Sequence, residues 1–140
     1  VIGVDTKILL LFAGLILVWA LALGVWKFRE MSTSPTALAH PYVDIAHRAA
    51  LMYSFATLVL AALTEFSGFA TAVNLIAGLV VVFFFVAAIA SYMYHGWAKD
   101  TDNQFQNPVH GTNAFMWALI VGEIGGTAVL LAGFVSGQFF

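Results

Sequence analysis

FSGFATAVNLIAGLVVVFFFVAAIASYMY, residues 66–94, contains no charged side chain. The hydrocarbon core of a bilayer is about 30 Å thick and takes about 20 residues of helix to cross. The stretch is therefore read as a helix immersed in lipid, starting near Thr71 once the Ser67-Gly68 turn is passed. Three other runs have the same character. Ile8 to Trp26 is free of charge, and Ala49 to Thr64 follows Arg48 and extends backwards as helix to about Tyr42. Gly111 to Val135 is interrupted only by Glu123. A membrane barrel would show short alternating strands. Continuous runs instead predict an all-α, integral membrane four-helix bundle, antiparallel, with helices at about 6–28, 42–66, 71–96 and 110–137. One transmembrane domain then covers residues 1–140.

Composition agrees. Of the residues, 62% are hydrophobic and 9% charged, against roughly 45–50% and about 25% in a soluble domain. Most side chains must have lipid as their solvent. The formal net charge of −2 and the absence of a basic cluster exclude nucleic acid as a partner. The expected partners are the bilayer and either other membrane subunits or identical copies. The chain has no cysteine, which excludes disulfides, thiolate metal sites and cysteine nucleophiles. The first apolar run is longer than a signal-peptide core and lacks a small-residue cleavage site, so it is expected to persist as a helix.

The connections set the topology. The turn at Ser67-Gly68 is short and makes the second and third helices an antiparallel hairpin. The first connection, about Phe28 to Pro41, holds the loop formers Ser32, Thr33, Ser34, Pro35 and Pro41. The last, GWAKDTDNQFQNPV over residues 96–109, is polar. These two long loops share one side, and the termini share the other with the short turn. Lys27, Arg29, Arg48 and Lys99 flank the long loops, while only Lys7 lies opposite. The positive-inside rule puts the long loops in the cytoplasm and both termini outside. Trp26, Tyr42, Tyr92, Tyr94 and Trp97 fall at the same interface, where amphipathic rings prefer to lie. Gly122 with Gly126, and Gly133 with Gly137, have the four-residue spacing that lets membrane helices approach closely, within the bundle or between subunits.

Chemistry concentrates at the loop side. His40 and His47 precede or open the second helix, His95 closes the third and His110 opens the fourth. Their similar depth makes His47, His95 and His110 the candidate cofactor and metal ligands, with haem b or a transition metal as occupant. Asp44 lies three residues before His47 and four before Arg48. It can orient the histidine or pair with the arginine. His47, Leu51, Ser54, Leu58, Ala61 and Glu65 form one helical stripe expected to face the interior. Glu65 lies about 27 Å from His47 along the helix and is expected to meet Asn74 across the turn. Glu123 falls near mid-membrane, where an ionisable group usually faces the bundle or a partner. Ser91, Tyr92 and His95 share a face of the third helix, and with Asn113 and Trp117 they can line a pocket open to the long loops. No phosphate loop, dinucleotide fingerprint or nucleophile elbow is present.

Ala46-His47 followed by Ala49-Ala50-Leu51-Met52, in a four-helix chain with two long loops on one side, resembles the small membrane isomerases of the styrene oxide isomerase and hydroxylaminobenzene mutase group. That resemblance implies a haem ligated by His47, whose iron acts as a Lewis acid on an epoxide oxygen. The chain departs from the group in having Met52 and Tyr53 where an asparagine often follows the histidine.

Three functions fit these features. The first is a small accessory subunit of a larger redox or respiratory-type membrane complex, with histidines that bind haem or a metal. The second is a haem- or metal-dependent isomerase acting as a homo-oligomer. The third is a proton-coupled transporter subunit built around Glu123.

Overall fold

A computed structural model describes all residues, 1–140, as four α-helices without strands. They are α1 (Val4–Thr33), α2 (Pro41–Glu65), α3 (Thr71–Ala98) and α4 (Thr112–Phe139). Each is long and apolar enough to cross a membrane. The chain is a multi-pass membrane protein folded as a four-helix bundle.

The helix ends follow from local chemistry. α1 runs to Thr33, five residues past the expected end at 28. The Ser32 hydroxyl donates to the Phe28 carbonyl (2.7 Å) and the Thr33 hydroxyl to that of Arg29 (2.9 Å), so these loop formers are satisfied inside the last turn. α2 starts at Pro41, whose fixed φ suits a first helical position. His40 caps it, its Nδ1 accepting from the Tyr42 N–H at 3.2 Å. α3 ends at Lys99, left-handed at φ 52°, whose N–H returns to the His95 carbonyl. α4 starts two residues later than expected, after Gly111 at φ 92°. His110 therefore lies in the loop rather than opening the helix.

α2 and α3 pack on each other. α1 lies along one side of this pair and α4 along the other, and α1 and α4 do not meet. Small side chains build the α1–α2 seam, with Ala13, Ala20, Ala46, Ala50 and Ala61 all buried. The interior stripe of α2 runs through Val43, Ala46, Ala50, Ser54, Thr57, Ala61 and Thr64. The expected stripe is thus rotated: His47 and Leu51 flank the interior, and Leu58 is 48% exposed to lipid. Ser54 and Thr57 enter this interior without stranding their hydroxyls, which donate to the carbonyls of Leu51 and Tyr53.

Both glycine pairs of α4 make contacts within the chain. Gly122 receives the Phe84 ring, and Gly126 lies against Ala77 and Val81. Gly133 and Gly137 receive the short turn, where the Gly68 N–H donates to the Gly133 carbonyl at 2.8 Å and Gln138 donates to Phe66.

The short turn and both termini share one end. There the buried Asp5 accepts from Asn74 Nδ2 (3.2 Å), and Ser67 donates to Asn74 Oδ1 (2.9 Å). Glu65 does not meet Asn74 as expected. It accepts from the Gly3 N–H at 3.2 Å, because Asp5 of α1 reaches Asn74 instead. The two long loops share the other end. They are tied by Lys99 to Glu30 (2.7 Å), His40 to Asp102 (3.2 Å) and the Gln104 N–H to the Tyr42 hydroxyl (2.6 Å).

Candidate functional site

Two features at the loop end have the makings of a site. The first is His47, on the first turns of α2 and partly open to the outside of the bundle. Its Nδ1 lies 2.8 Å from the Ala20 carbonyl of α1. A carbonyl only accepts, so Nδ1 carries a proton and, when the ring is neutral, Nε2 holds the lone pair. The close approach depends on Gly24, since a Cβ there would come within 2.8 Å of His47 Cε1. Asp44 does not orient the ring. One oxygen meets Lys27 Nζ at 2.6 Å and the other takes Arg48 through Nη2 at 2.8 Å and Nε at 3.1 Å. The Asp44–Arg48 alternative is the one that forms, with Lys27 of α1 as a further partner. Half-exposed pairs of this kind contribute about 0.2–1 kcal/mol each.

The second feature is a cleft of about 540 Å³ between α3, α4 and the last loop. Ala87, Ala88, Phe115, Met116 and Leu119 form its apolar walls, while Ser91, Tyr92, His95, Gln104 and Thr112 supply its polar groups. His95, Gln104 and Thr112 also border a smaller polar hollow of about 300 Å³ in the loop. His95 packs on Tyr42, with ring centres 5.2 Å apart, and its Nδ1 lies 2.9 Å from Asp100 Oδ1. That hydrogen bond, with the charge of the imidazole when protonated, holds the Asp100 carboxyl below its ordinary range. Of the expected pocket residues, Ser91, Tyr92 and His95 line the cleft. Asn113 and Trp117 do not: both are exposed on α4, Trp117 at 67%.

Glu123 lies one helical turn beyond Leu119. Its Oε1 is buried without a hydrogen-bond partner, within electrostatic reach of Tyr53 and Tyr92. Tyr53 is itself stacked on Phe85 with ring centres 4.2 Å apart.

The three expected ligands do not converge. His47 is bound to α1, His95 is turned to Asp100, and His110 is exposed in the loop. No group of three or more histidine, aspartate or glutamate side chains stands where it could hold a metal ion. A three-histidine metal centre is therefore not assembled within one chain: two of the rings are held by different partners and the third is exposed in the loop. His40 is likewise committed, to its cap and to Asp102.

Lys27, Asp100 and Gln104 are the site residues that sequence reasoning passed over. Asp100 follows His95 by five residues, a spacing that a left-handed helix end can bring together. Lys27 and Gln104 come from other elements and leave no mark in local spacing. Compared with models of protein families, with curated proteins and with solved structures, the chain matches none.

Proposed function

We propose that this chain is a small haem-binding subunit of a larger membrane assembly of redox or respiratory type, with His47 as the residue that would hold haem b. The observation that carries this reading is the bond from His47 Nδ1 to the Ala20 carbonyl. Ligating histidines characteristically donate the other ring N–H to a carbonyl or carboxylate, which fixes the tautomer and aims the free nitrogen. The donor chemistry fits haem. Lys27 and Arg48 flank Asp44 at the same rim, leaving one positive charge in excess of that carboxylate and suited to a propionate. A haem bound there would supply one-electron transfer or a Lewis-acidic iron. The chain's own part would be to hold the imidazole, present its Nε2 and offset one propionate.

His47 lines neither the α3–α4 cleft nor the polar hollow of the last loop. The remaining haem surface then needs cover from a second chain, which supports a subunit rather than a self-contained enzyme. The isomerase reading shares the same histidine and differs in making the chain an enzyme whose second chain is an identical copy. Lys27, Arg29, Arg48 and Lys99 stand at the loop end and support loops in the cytoplasm with both termini outside.

Purification in mild detergent from haem-supplied cells tests this. The expected result is a Soret band travelling with the chain in a particle much larger than its 15.1 kDa. Other subunits in that particle support the complex, and copies of this chain alone support the isomerase. A colourless, monomeric chain contradicts both.

A further inference from the structure

We infer that the cleft between α3 and α4 binds a neutral amphiphile, an apolar body carrying a single hydroxyl group. The inference is independent of His47. At about 540 Å³ the cleft falls in the roughly 300–1,000 Å³ range of small-molecule sites, which are mostly apolar with a few convergent polar groups. Its polar groups stand at the loop end, where His95, Gln104 and Thr112 border both the chamber and the polar hollow. The occupant must therefore be apolar along most of its length and polar at one tip.

The hydrogen-bonding capacity left over defines that tip. Ser91 already donates to Gln104 Oε1 at 3.2 Å, and His95 Nδ1 is taken by Asp100. The carboxylate accepts, so Nδ1 carries a proton, and when the ring is neutral Nε2 is left as an acceptor. The Gln104 amide N–H and the hydroxyls of Thr112 and Tyr92 remain as donors. A hydroxyl both donates and accepts, and so matches this set. Charge excludes the nearest rivals. No lysine or arginine lines either compartment, and Asp100 is their one carboxylate. A fatty acid or phosphate would bring an anion to that carboxylate with no cation to pair with it. An ammonium would compete with His95 for a carboxylate it already holds.

The test uses the full chain in phosphatidylcholine nanodiscs at about pH 8, where a carboxylate is ionised and an alkylamine protonated. Native mass spectrometry counts bound 1-dodecanol, dodecanoate and dodecylammonium. The expected result is saturable binding of one dodecanol, with the two ions at least about tenfold weaker, the factor carried by about 1.4 kcal/mol. Met116→Trp, which fills the chamber, should abolish dodecanol binding. Ala87→Phe fills the opposite wall and serves if the first variant loses its helical circular dichroism. His95→Phe keeps the ring packing and removes the acceptor, so it should weaken binding about three- to tenfold. Non-saturable uptake, displacement of dodecanol by phosphatidylcholine alone, equal binding of all three amphiphiles, or saturable binding untouched by either filling variant would overturn the inference.

Discussion

Between α3 and α4 the contact is close at one end, where only an open groove of about 440 Å³ runs beside it, and gives way at the other to the cleft of about 540 Å³. At the short-turn end, Gly126, Gly133 and Gly137 bring the α4 backbone against Ala77, Val81 and the turn. At the loop end, Phe115, Met116 and Leu119 occupy the α4 face, and the cleft opens beside them. The same two helices pack differently because the side chains change size along the seam. In lipid, apolar surface gains nothing by leaving its solvent for another helix, so association depends on close packing. Glycine permits it, while bulky side chains hold the backbones apart and leave space for a guest.

The largest expected effect comes from closing off the glycine end. A Cβ at Gly126 would lie 2.5 Å from Val81 Cγ2 and 2.7 Å from the Ala77 carbonyl oxygen, and that backbone cannot yield. Gly126→Leu should cost about 3 kcal/mol or more, read as a lower unfolding midpoint in detergent with loss of α4 docking. The same end is pinned by polar groups. Asn74→Leu strands the Asp5 carboxylate and the Ser67 hydroxyl, at a cost of about 2 kcal/mol. The control is one residue away, since nothing lies within 4 Å of a Cβ at Gly125. Gly125→Ala should stabilise by about 0.5–1 kcal/mol through helix propensity. A loss there equal to that of Gly126→Leu would mean that glycine acts through helix flexibility rather than through packing.

The smallest effect is expected at the open end. The hydrogen bond from His95 lowers the Asp100 carboxyl, so the native state favours its anion. The contribution is present above the ordinary aspartate value of 3.8 and fades as pH falls through the lower native value. Limited proteolysis across residues 99–111 should quicken as pH is lowered below about 4, with a cleavage that tolerates acid. Asp100→Asn should show the quickened rate already at neutral pH. An unchanged pattern in both experiments would mean that the His95–Asp100 contact does not hold the loop.

How much of this was legible in the sequence follows from what lipid does to a helix pattern. The four spans were legible because length without charge is enough to define them. Their rotation was not. A membrane helix is apolar on every face, so the polar positions His47, Ser54 and Glu65 suggested a stripe that the small residues Ala46, Ala50 and Ala61 overrule. The glycine spacing announced close contacts without naming partners, which proved to be Ala77, Val81, Phe84 and the turn. Ser91, Tyr92 and His95 were legible as one wall of a pocket. Its loop side was not, because Gln104 and Asp100 arrive from an irregular segment. His47 stood out by its setting, yet its orienting partner is a backbone carbonyl 27 residues away, and no residue type in a sequence marks a carbonyl.

The central claim is that one histidine of the four holds a haem. Absorption spectra of His40→Ala, His47→Ala, His95→Ala and His110→Ala, purified in parallel with the parent chain, test it most directly. A Soret band is expected in the parent and in every variant except His47→Ala. A band that survives His47→Ala, or one that disappears only with His95→Ala, would contradict it.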